Sequence, residues 1–208
     1  MTISPRIKFV AMFALFALPI IASYLTFFFW SPTTTNNFGT LITPVVALPA
    51  ERLTIVDGQD APRGAGDNAL RGKWLMLTVD DGGCFDQCQK KAYTMRQARQ
   101  ILGREQERVA RVVLQSDGGT PTEKNLSAFA GTAWVQARGS AWPRTLPLLN
   151  GSPEAANAYI YAVDPMGNVF MRYRADVDIK HLVADFKRVL KASQLGKDFE
   201  GKIDSVTK

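Results

Sequence analysis

Cys84 and Cys88 are the only cysteines in this 208-residue chain, and they lie four residues apart in the segment "DDGGCFDQCQ". If a helix begins near Cys84, both side chains lie on one helix face with Cβ atoms about 5–6 Å apart. A relaxed disulfide needs Cβ atoms about 3.5–4.5 Å apart, so a bridge requires Cys84 to lie in the loop before the helix. Gly82 and Gly83 favour such a loop. The pair can therefore switch between dithiol and disulfide.

Three kinds of chemistry are open to this cysteine pair. A structural disulfide is common in exported proteins, but a loop closed across three intervening residues removes little chain entropy. Thiol–disulfide exchange fits a position between a strand and a helix, because a helix N-terminus lowers the pKa of a thiol. Two thiolates also bind Cu(I), which prefers soft ligands. We expect Cys84, which precedes the helix, to be more exposed than Cys88.

Other candidate catalytic groups are few. Asp80 and Asp81 precede the cysteines, and a carboxylate that faced Cys84 would raise the pKa of its thiol. We interpret both as solvated loop acids. The single histidine, His181, lies too late in the sequence to build a Ser/His/Asp set, and no His/Cys cluster has zinc spacing.

The N-terminus predicts a membrane anchor. Residues Phe9 to Trp30 carry no charge and are long enough to cross a hydrocarbon core of about 30 Å. Arg6 and Lys8 precede this run, and no charge follows it until Glu51, so the positive-inside rule places the N-terminus in the cytoplasm. A signal peptide cleaved near residue 50 is the alternative, but the apolar run exceeds the roughly 7–15 residues of such a peptide's core.

We therefore predict four parts: a cytoplasmic N-terminus (1–8), a transmembrane helix (9–30), a Thr/Pro/Asn-rich linker (31–50) and one domain (51–208). The expected location is a bacterial inner membrane with the domain in the periplasm. The net charge is +6, and the basic residues are scattered among acids, as on solvated helix faces. This pattern indicates no nucleic-acid partner.

Within the domain, the residue pattern alternates strands and helices in the order β-α-β-α-β-β-α. The cysteine pair falls at the first junction from strand to helix, which is typical of an α/β, thioredoxin-like domain. The predicted elements are a strand (73–80), a helix (88–103), a strand (108–117), a short helix after Thr122, a hairpin turned at 165–168 and a final helix (177–195).

The segments "GKWLMLTV", "CFDQC" and "AYIYAVDPMGNVFMRYR" resemble the Sco/SenC family of membrane-anchored copper chaperones for cytochrome c oxidase. The family motif typically reads C-P-D-x-C-P. Here Asp86 keeps the acid, whereas Phe85 and Gln89 replace the two prolines. The family also supplies a histidine as third copper ligand, and the matching place, around Ala156 and Asn157, contains none.

The resemblance implies that Cys84 and Cys88 are the redox site and the ligands of Cu(I). The protein is then expected to act in cytochrome c oxidase assembly by thiol–disulfide exchange or Cu(I) delivery, with an oxidase subunit or its assembly factors as partner. The alternative is a non-catalytic accessory protein with a structural disulfide. We interpret His181 as a partly exposed helix residue, Met95 as a core residue and Met166 as a turn residue, while Met171 is a further thioether.

Overall fold

The computed structural model describes residues 4–29, 36–48, 53–57, 70–115, 119–137 and 156–193. The chain divides into two compact units, Met1–Asn36 and Asn37–Lys208. The first unit contains one helix, α1 (Pro5–Phe29). By length and composition, its part Ala11–Phe29 can cross a membrane. The predicted apolar span is therefore helical, as single-pass anchoring requires.

The second unit is built on a seven-stranded sheet with the order β1-β7-β6-β3-β4-β5-β2. The strands are β1 (Thr40–Ala47), β2 (Leu53–Asp57), β3 (Trp74–Asp80), β4 (Val109–Gln115), β5 (Thr132–Ala137), β6 (Tyr159–Val163) and β7 (Asn168–Arg174). The helices are α2 (Asp86–Ile101), α3 (Glu123–Ala128) and α4 (Ile179–Ala192), with 3-10 turns at Gly103–Arg108 and Ala156–Ala158.

The central strand, β3, carries the cysteine loop at its C-terminal end. It pairs in parallel with β4 and antiparallel with β6, and all seven of its residues are buried. Met76 packs into the cluster that includes both cysteines, while Leu75 and Leu77 pack on the opposite face. Burial on both faces explains why this strand reads as a continuous apolar run. The loop is thus attached to a strand that is buried along its whole length.

Helices α2 and α4 contact each other and share one hydrophobic cluster with the sheet. The stripe predicted on α2, from Cys88 through Ala92 and Met95, is buried, and Leu182 and Phe186 of α4 join the same cluster. The predicted helical periodicity and the α/β, thioredoxin-like fold are therefore confirmed.

The edge strands were not predicted. Strand β1 lies within residues 31–50, which the sequence analysis assigned to a linker, and the compact unit begins at Asn37. The β-branched residues of "TLITPVVA" suit a strand. Pro44 is tolerated because β1 is an edge strand, which needs fewer ladder donors. Strands β2 and β5, short and without clear alternation, were also missed.

Strand β1 begins at the end of the sheet where β3 stops and the cysteine loop starts. Strands β1 and β6 run antiparallel to β3, whereas β7 runs parallel to it. The beginning of β1 therefore lies at the same edge of the sheet as the end of β3. Residues 37–39, which precede β1, and the cysteine loop, which follows β3, therefore lie at the same end of the sheet.

Candidate redox site

Cys84 and Cys88 form a disulfide, with an S–S distance of 1.95 Å and Cα atoms 5.0 Å apart. Helix α2 begins at Asp86 after the N-cap Phe85, so Cys84 lies in the preceding loop and Cys88 in the first turn of the helix. Cys84 has a φ of 46°, in the left-handed region. The predicted condition for bridging, Cys84 outside the helix, is confirmed.

The prediction that Cys84 is more exposed than Cys88 is wrong. The exposed fractions are 0% for Cys84 and 2% for Cys88, and both belong to the hydrophobic cluster under α2. The N–H of Cys84 donates to the carbonyl of Asp81 at 3.3 Å, which closes a tight turn. The exposed position is taken instead by Phe85, which is 69% exposed. A partner thiol therefore reaches the sulfur atoms only if this loop moves.

Side-chain amides hold the carbonyl groups of three successive loop residues. Asn125 Nδ2 donates to Gly83 O at 3.0 Å and to Cys84 O at 3.3 Å. Gln89 Nε2 donates to Cys84 O at 3.1 Å and to Asn125 Oδ1 at 3.2 Å. Gln115 Nε2 lies 3.5 Å from Gly82 O. We call Gln89 and Asn125 the amide clamp; sequence reasoning noted Gln89 only as the replacement of a proline and missed Asn125.

A close backbone contact places Asn125 beside the loop. A Cβ atom at Gly82 would lie 2.3 Å from Gly119 Cα, so only glycine allows this approach. The segment then leads to Thr122, whose Oγ1 caps α3 by accepting from Asn125 N at 3.3 Å. The predicted Thr cap is thus confirmed, and it fixes the turn from which Asn125 reaches the cysteines.

Asp80 is not a solvated loop acid, which corrects the sequence interpretation; Asp81 is exposed as expected. Asp80 Oδ2 lies 2.8 Å from Lys91 Nζ, and both side chains are buried. Thr78 Oγ1 donates to the same oxygen at 2.9 Å. Desolvation raises the pKa of Asp80, although Lys91 opposes the change, and desolvation likewise lowers the pKa of Lys91 against the attraction of Asp80.

This buried pair ties together the elements around the disulfide. Asp80 ends β3 four residues before Cys84, and Lys91 lies one turn after Cys88 on α2. Lys91 Nζ also donates to the carbonyl of Asn157, at the place where the resemblance expects a histidine. Helix, central strand and 3-10 turn are therefore joined by one ammonium group.

The other candidate metal donors lie in different surroundings. The His181 ring stacks on Phe38, with centroids 3.9 Å apart. As expected, Met95 is buried in the core and Met166 lies in the turn between β6 and β7. Met171 Sδ accepts from the hydroxyl of Tyr173 at 2.8 Å. Within the described residues, no group of three or more His, Cys, Asp or Glu side chains could hold a metal ion. The soft donor set at the site is the two sulfur atoms, once they are reduced.

Three solved structures show the range of similar proteins. A SCO1/SenC family lipoprotein from Bacillus anthracis is 18% identical and covers 57% of this chain and 82% of its own, with a TM-score of 0.43. Arabidopsis thaliana ScoI with copper bound is 15% identical, with coverages of 60% and 88% and a TM-score of 0.47. A putative protein disulfide isomerase from Bacteroides thetaiotaomicron is 18% identical, with coverages of 58% and 76% and a TM-score of 0.41.

A comparison with curated proteins gives no significant match. A family described as "Transmembrane-like, thioredoxin-like, C-terminal domain" matches residues 74–193, more than half of the chain. The match begins at β3 and ends just after α4, so it includes the disulfide and both helices packed on the sheet. The chain belongs to this transmembrane-like, thioredoxin-like family.

Proposed function

We propose that this protein is a membrane-anchored thiol–disulfide exchange protein that acts, like the Sco/SenC proteins it resembles, in cytochrome c oxidase assembly. The observation that carries the proposal is a disulfide at the junction of the central strand and α2 that spans only three intervening residues. Chain entropy predicts that so short a loop contributes about 2 kcal/mol, against about 4.7 kcal/mol for a 100-residue loop. Stability alone is a weak reason to keep this bridge.

In the proposed exchange, the two cysteines have different roles. Cys88 lies in the first turn of α2, where free N–H groups and the helix dipole stabilise a thiolate. A partner thiolate attacks Sγ of Cys84, the S–S bond breaks, and Cys88 leaves as the thiolate and takes up a proton. A second partner thiol then attacks the mixed disulfide and releases Cys84. The partner dithiol is oxidised to a disulfide and the Cys84–Cys88 bridge is reduced; the reverse sequence reduces a partner.

The proposed setting is a bacterial inner membrane, with the N-terminus in the cytoplasm and the domain in the periplasm. Arg6 and Lys8, which precede the apolar part of α1, support this orientation. The proposed partner is an oxidase subunit or one of its assembly factors. The basis is the sequence resemblance to Sco/SenC.

The principal test is disulfide trapping with the full-length protein in membranes. In Cys88→Ser, a partner joined to Cys84 cannot be released by the resolving thiol, so we expect a mixed disulfide that disappears on reduction. Non-reducing gel electrophoresis and mass spectrometry identify the partner. The matched control, Cys84→Ser with Cys88→Ser, should trap nothing. Trapping through Cys84→Ser alone would reverse the roles of the two thiols.

Cu(I) is a second proposed cargo of the reduced pair, because two thiolates four residues apart can bind one soft ion. We expect the reduced protein to bind at most one Cu(I), measured by competition with a chromophoric Cu(I) chelator. Binding should be lost in Cys84→Ser and in Cys88→Ser. Retention of Cu(I) by the double serine variant would place the metal elsewhere.

The burial of both sulfur atoms favours a second function, an accessory protein that binds an oxidase through its surface and keeps the disulfide for structure. The two functions differ in how the protein responds to reduction. An exchange protein should be reduced without denaturant and lose about 2 kcal/mol or less of unfolding free energy. If neither thiol reacts until the domain is unfolded, the accessory function is correct.

A further inference from the structure

We propose that the amide clamp, Gln89 and Asn125, positions Cys84 for disulfide formation and so sets the redox equilibrium of the pair. This inference rests on the proposed exchange function and concerns the same site. The hydrogen bonds that the clamp residues donate to the loop go to the main-chain carbonyl groups of Gly83 and Cys84. Their contacts can therefore be kept in the dithiol as well as in the disulfide.

All four side-chain N–H groups of the clamp have acceptors. A side-chain amide nitrogen has two N–H groups. Gln89 Nε2 uses them for Cys84 O and Asn125 Oδ1, and Asn125 Nδ2 uses them for Gly83 O and Cys84 O. The carbonyl of Cys84 thus accepts one bond from each amide, which matches its two lone pairs. The bond between the two amides fixes their orientation, since it requires Asn125 to present its oxygen to Gln89 and its nitrogen to the loop.

The loop needs such support because of its backbone conformation. A φ of 46° at Cys84 is left-handed, a backbone conformation that is unfavourable for an L-residue. Residues in such conformations persist where the surrounding structure over-determines them. Asn125 is buried on α3 and Gln89 lies on α2, so the carbonyl of Cys84 accepts hydrogen bonds from two separate helices. These hydrogen bonds stabilise the left-handed conformation of Cys84 independently of the disulfide.

This support has a chemical consequence. When Cys84 is reduced and its loop is free, the sulfur atom samples many positions, and closing the bridge costs the entropy of ordering the loop. When the clamp holds the loop, the thiol of Cys84 stays near Cys88 and its effective concentration is higher. The clamp therefore favours the disulfide over the dithiol. Loss of the clamp should make the pair a stronger oxidant.

The test is the equilibrium of the full-length protein, in detergent, with a glutathione redox buffer. Asn125→Ala removes the two hydrogen bonds that Asn125 donates to the loop. We expect the oxidation equilibrium constant to fall about tenfold, which corresponds to about 30 mV for a two-electron couple. Gln89→Met keeps the length of a half-buried side chain and removes one bond to Cys84, so a smaller fall is expected. Ser127→Ala is the matched control on α3, because its hydroxyl bonds only within the helix, to Lys124 O; its constant should be unchanged.

A merely structural role gives a different result. If Asn125 only stabilises the fold, Asn125→Ala lowers the unfolding free energy of the oxidised and reduced proteins equally and leaves the redox constant unchanged, which overturns the inference. Gln89→Met decides the matter if Asn125→Ala does not fold. If the wild-type protein exchanges with glutathione and the variants have the same oxidation equilibrium constant as wild type, the role of the clamp is refuted but the proposed function is not. A wild-type disulfide that glutathione cannot reduce without denaturant refutes the proposed function, and the clamp with it.

Discussion

Two regions at one edge of the sheet are each built around a buried carboxylate, but they satisfy it in different ways. Beneath the disulfide, Asp80 is paired with the ammonium group of Lys91. Where the chain joins the domain, Asp185 of α4 accepts from the main-chain N–H groups of Phe38 at 2.8 Å and Gly39 at 3.0 Å. Asp80 is paired with a buried ammonium group, whereas Asp185 binds two main-chain N–H groups through Oδ2 and has only the exposed guanidinium of Arg188, 3.4 Å from Oδ1, as a charged partner among the ion pairs of the described residues.

This difference suggests different roles: the region around Asp80 belongs to the redox site, and the region around Asp185 holds residues 38 and 39 in place. The N–H donors at Asp185 cannot lose their protons, and burial together with Asp185 raises the pKa of the neighbouring Tyr173 well above its usual range. A Cβ atom at Gly39 would lie 2.6 Å from Met171 Sδ and from the Tyr173 ring, so the close approach of this segment to β7 requires a glycine. At Asp80, by contrast, both partners are titratable and both have shifted pKa values. We expect redox behaviour to respond to changes at the first region and only stability to respond at the second.

The largest expected effect comes from breaking the buried ion pair. Lys91→Met removes the charged partner of the Asp80 carboxylate, and removal of one member of a buried pair typically costs about 3–5 kcal/mol. Urea unfolding at neutral pH should show this loss. Lys90→Met, at the exposed neighbouring position on α2, is the control and should stay within about 0.5 kcal/mol of wild type. An equal effect at both positions would show that the pair does not matter.

The same variant should acquire a distinct pH dependence. Without Lys91, the largest influence that opposes desolvation is lost, so the pKa of Asp80 rises further above 3.8, although the hydrogen bond from Thr78 still lowers it. As the pH rises past that value, the unfolded chain releases its proton before the folded protein does, so stability falls until Asp80 ionises in the folded state. The loss should therefore be smallest near pH 4 and grow toward neutral pH. Asp80→Asn combined with Lys91→Met removes the titrating group and should abolish this slope.

A smaller effect is expected at the second carboxylate. Asp185→Ala leaves the N–H groups of Phe38 and Gly39 without their acceptor, and hydrogen bonds to a charged group are worth about 1.5–3 kcal/mol. Thermal or urea unfolding should show a loss of about 2–3 kcal/mol, while the glutathione equilibrium of the cysteines stays unchanged. Asp176→Asn, which breaks an exposed ion pair with Arg174, is the control and should cost at most about 1 kcal/mol. A redox shift in Asp185→Ala would contradict the proposed separation of the two regions.

The sequence predicted the parts of the site that depend on local patterns. The strand before the cysteines, the stripe on α2 and the hairpin follow from periodicity within one element. The cysteine loop was inferred from two glycines. The partners of these parts were not predictable in the same way, because Asn125 reaches Gly83 across 42 residues and Lys91 reaches Asn157 across 66. Polar residues far apart in sequence carry no periodic signal that pairs them, so Asp80 was interpreted as a solvated acid.

The smallest expected effect compares two helix caps. Thr122 caps α3 beside the cysteine loop, and Asp178 caps α4, where its carboxylate accepts from Lys180 N at 2.8 Å. Replacing either cap by alanine should cost about 1 kcal/mol of unfolding free energy. Only Thr122→Ala loosens the turn that carries Asn125, so it alone should lower the oxidation constant of the cysteines, by less than Asn125→Ala does. Equal redox constants in two equally destabilised cap variants would mean that α3 supports the fold and not the disulfide.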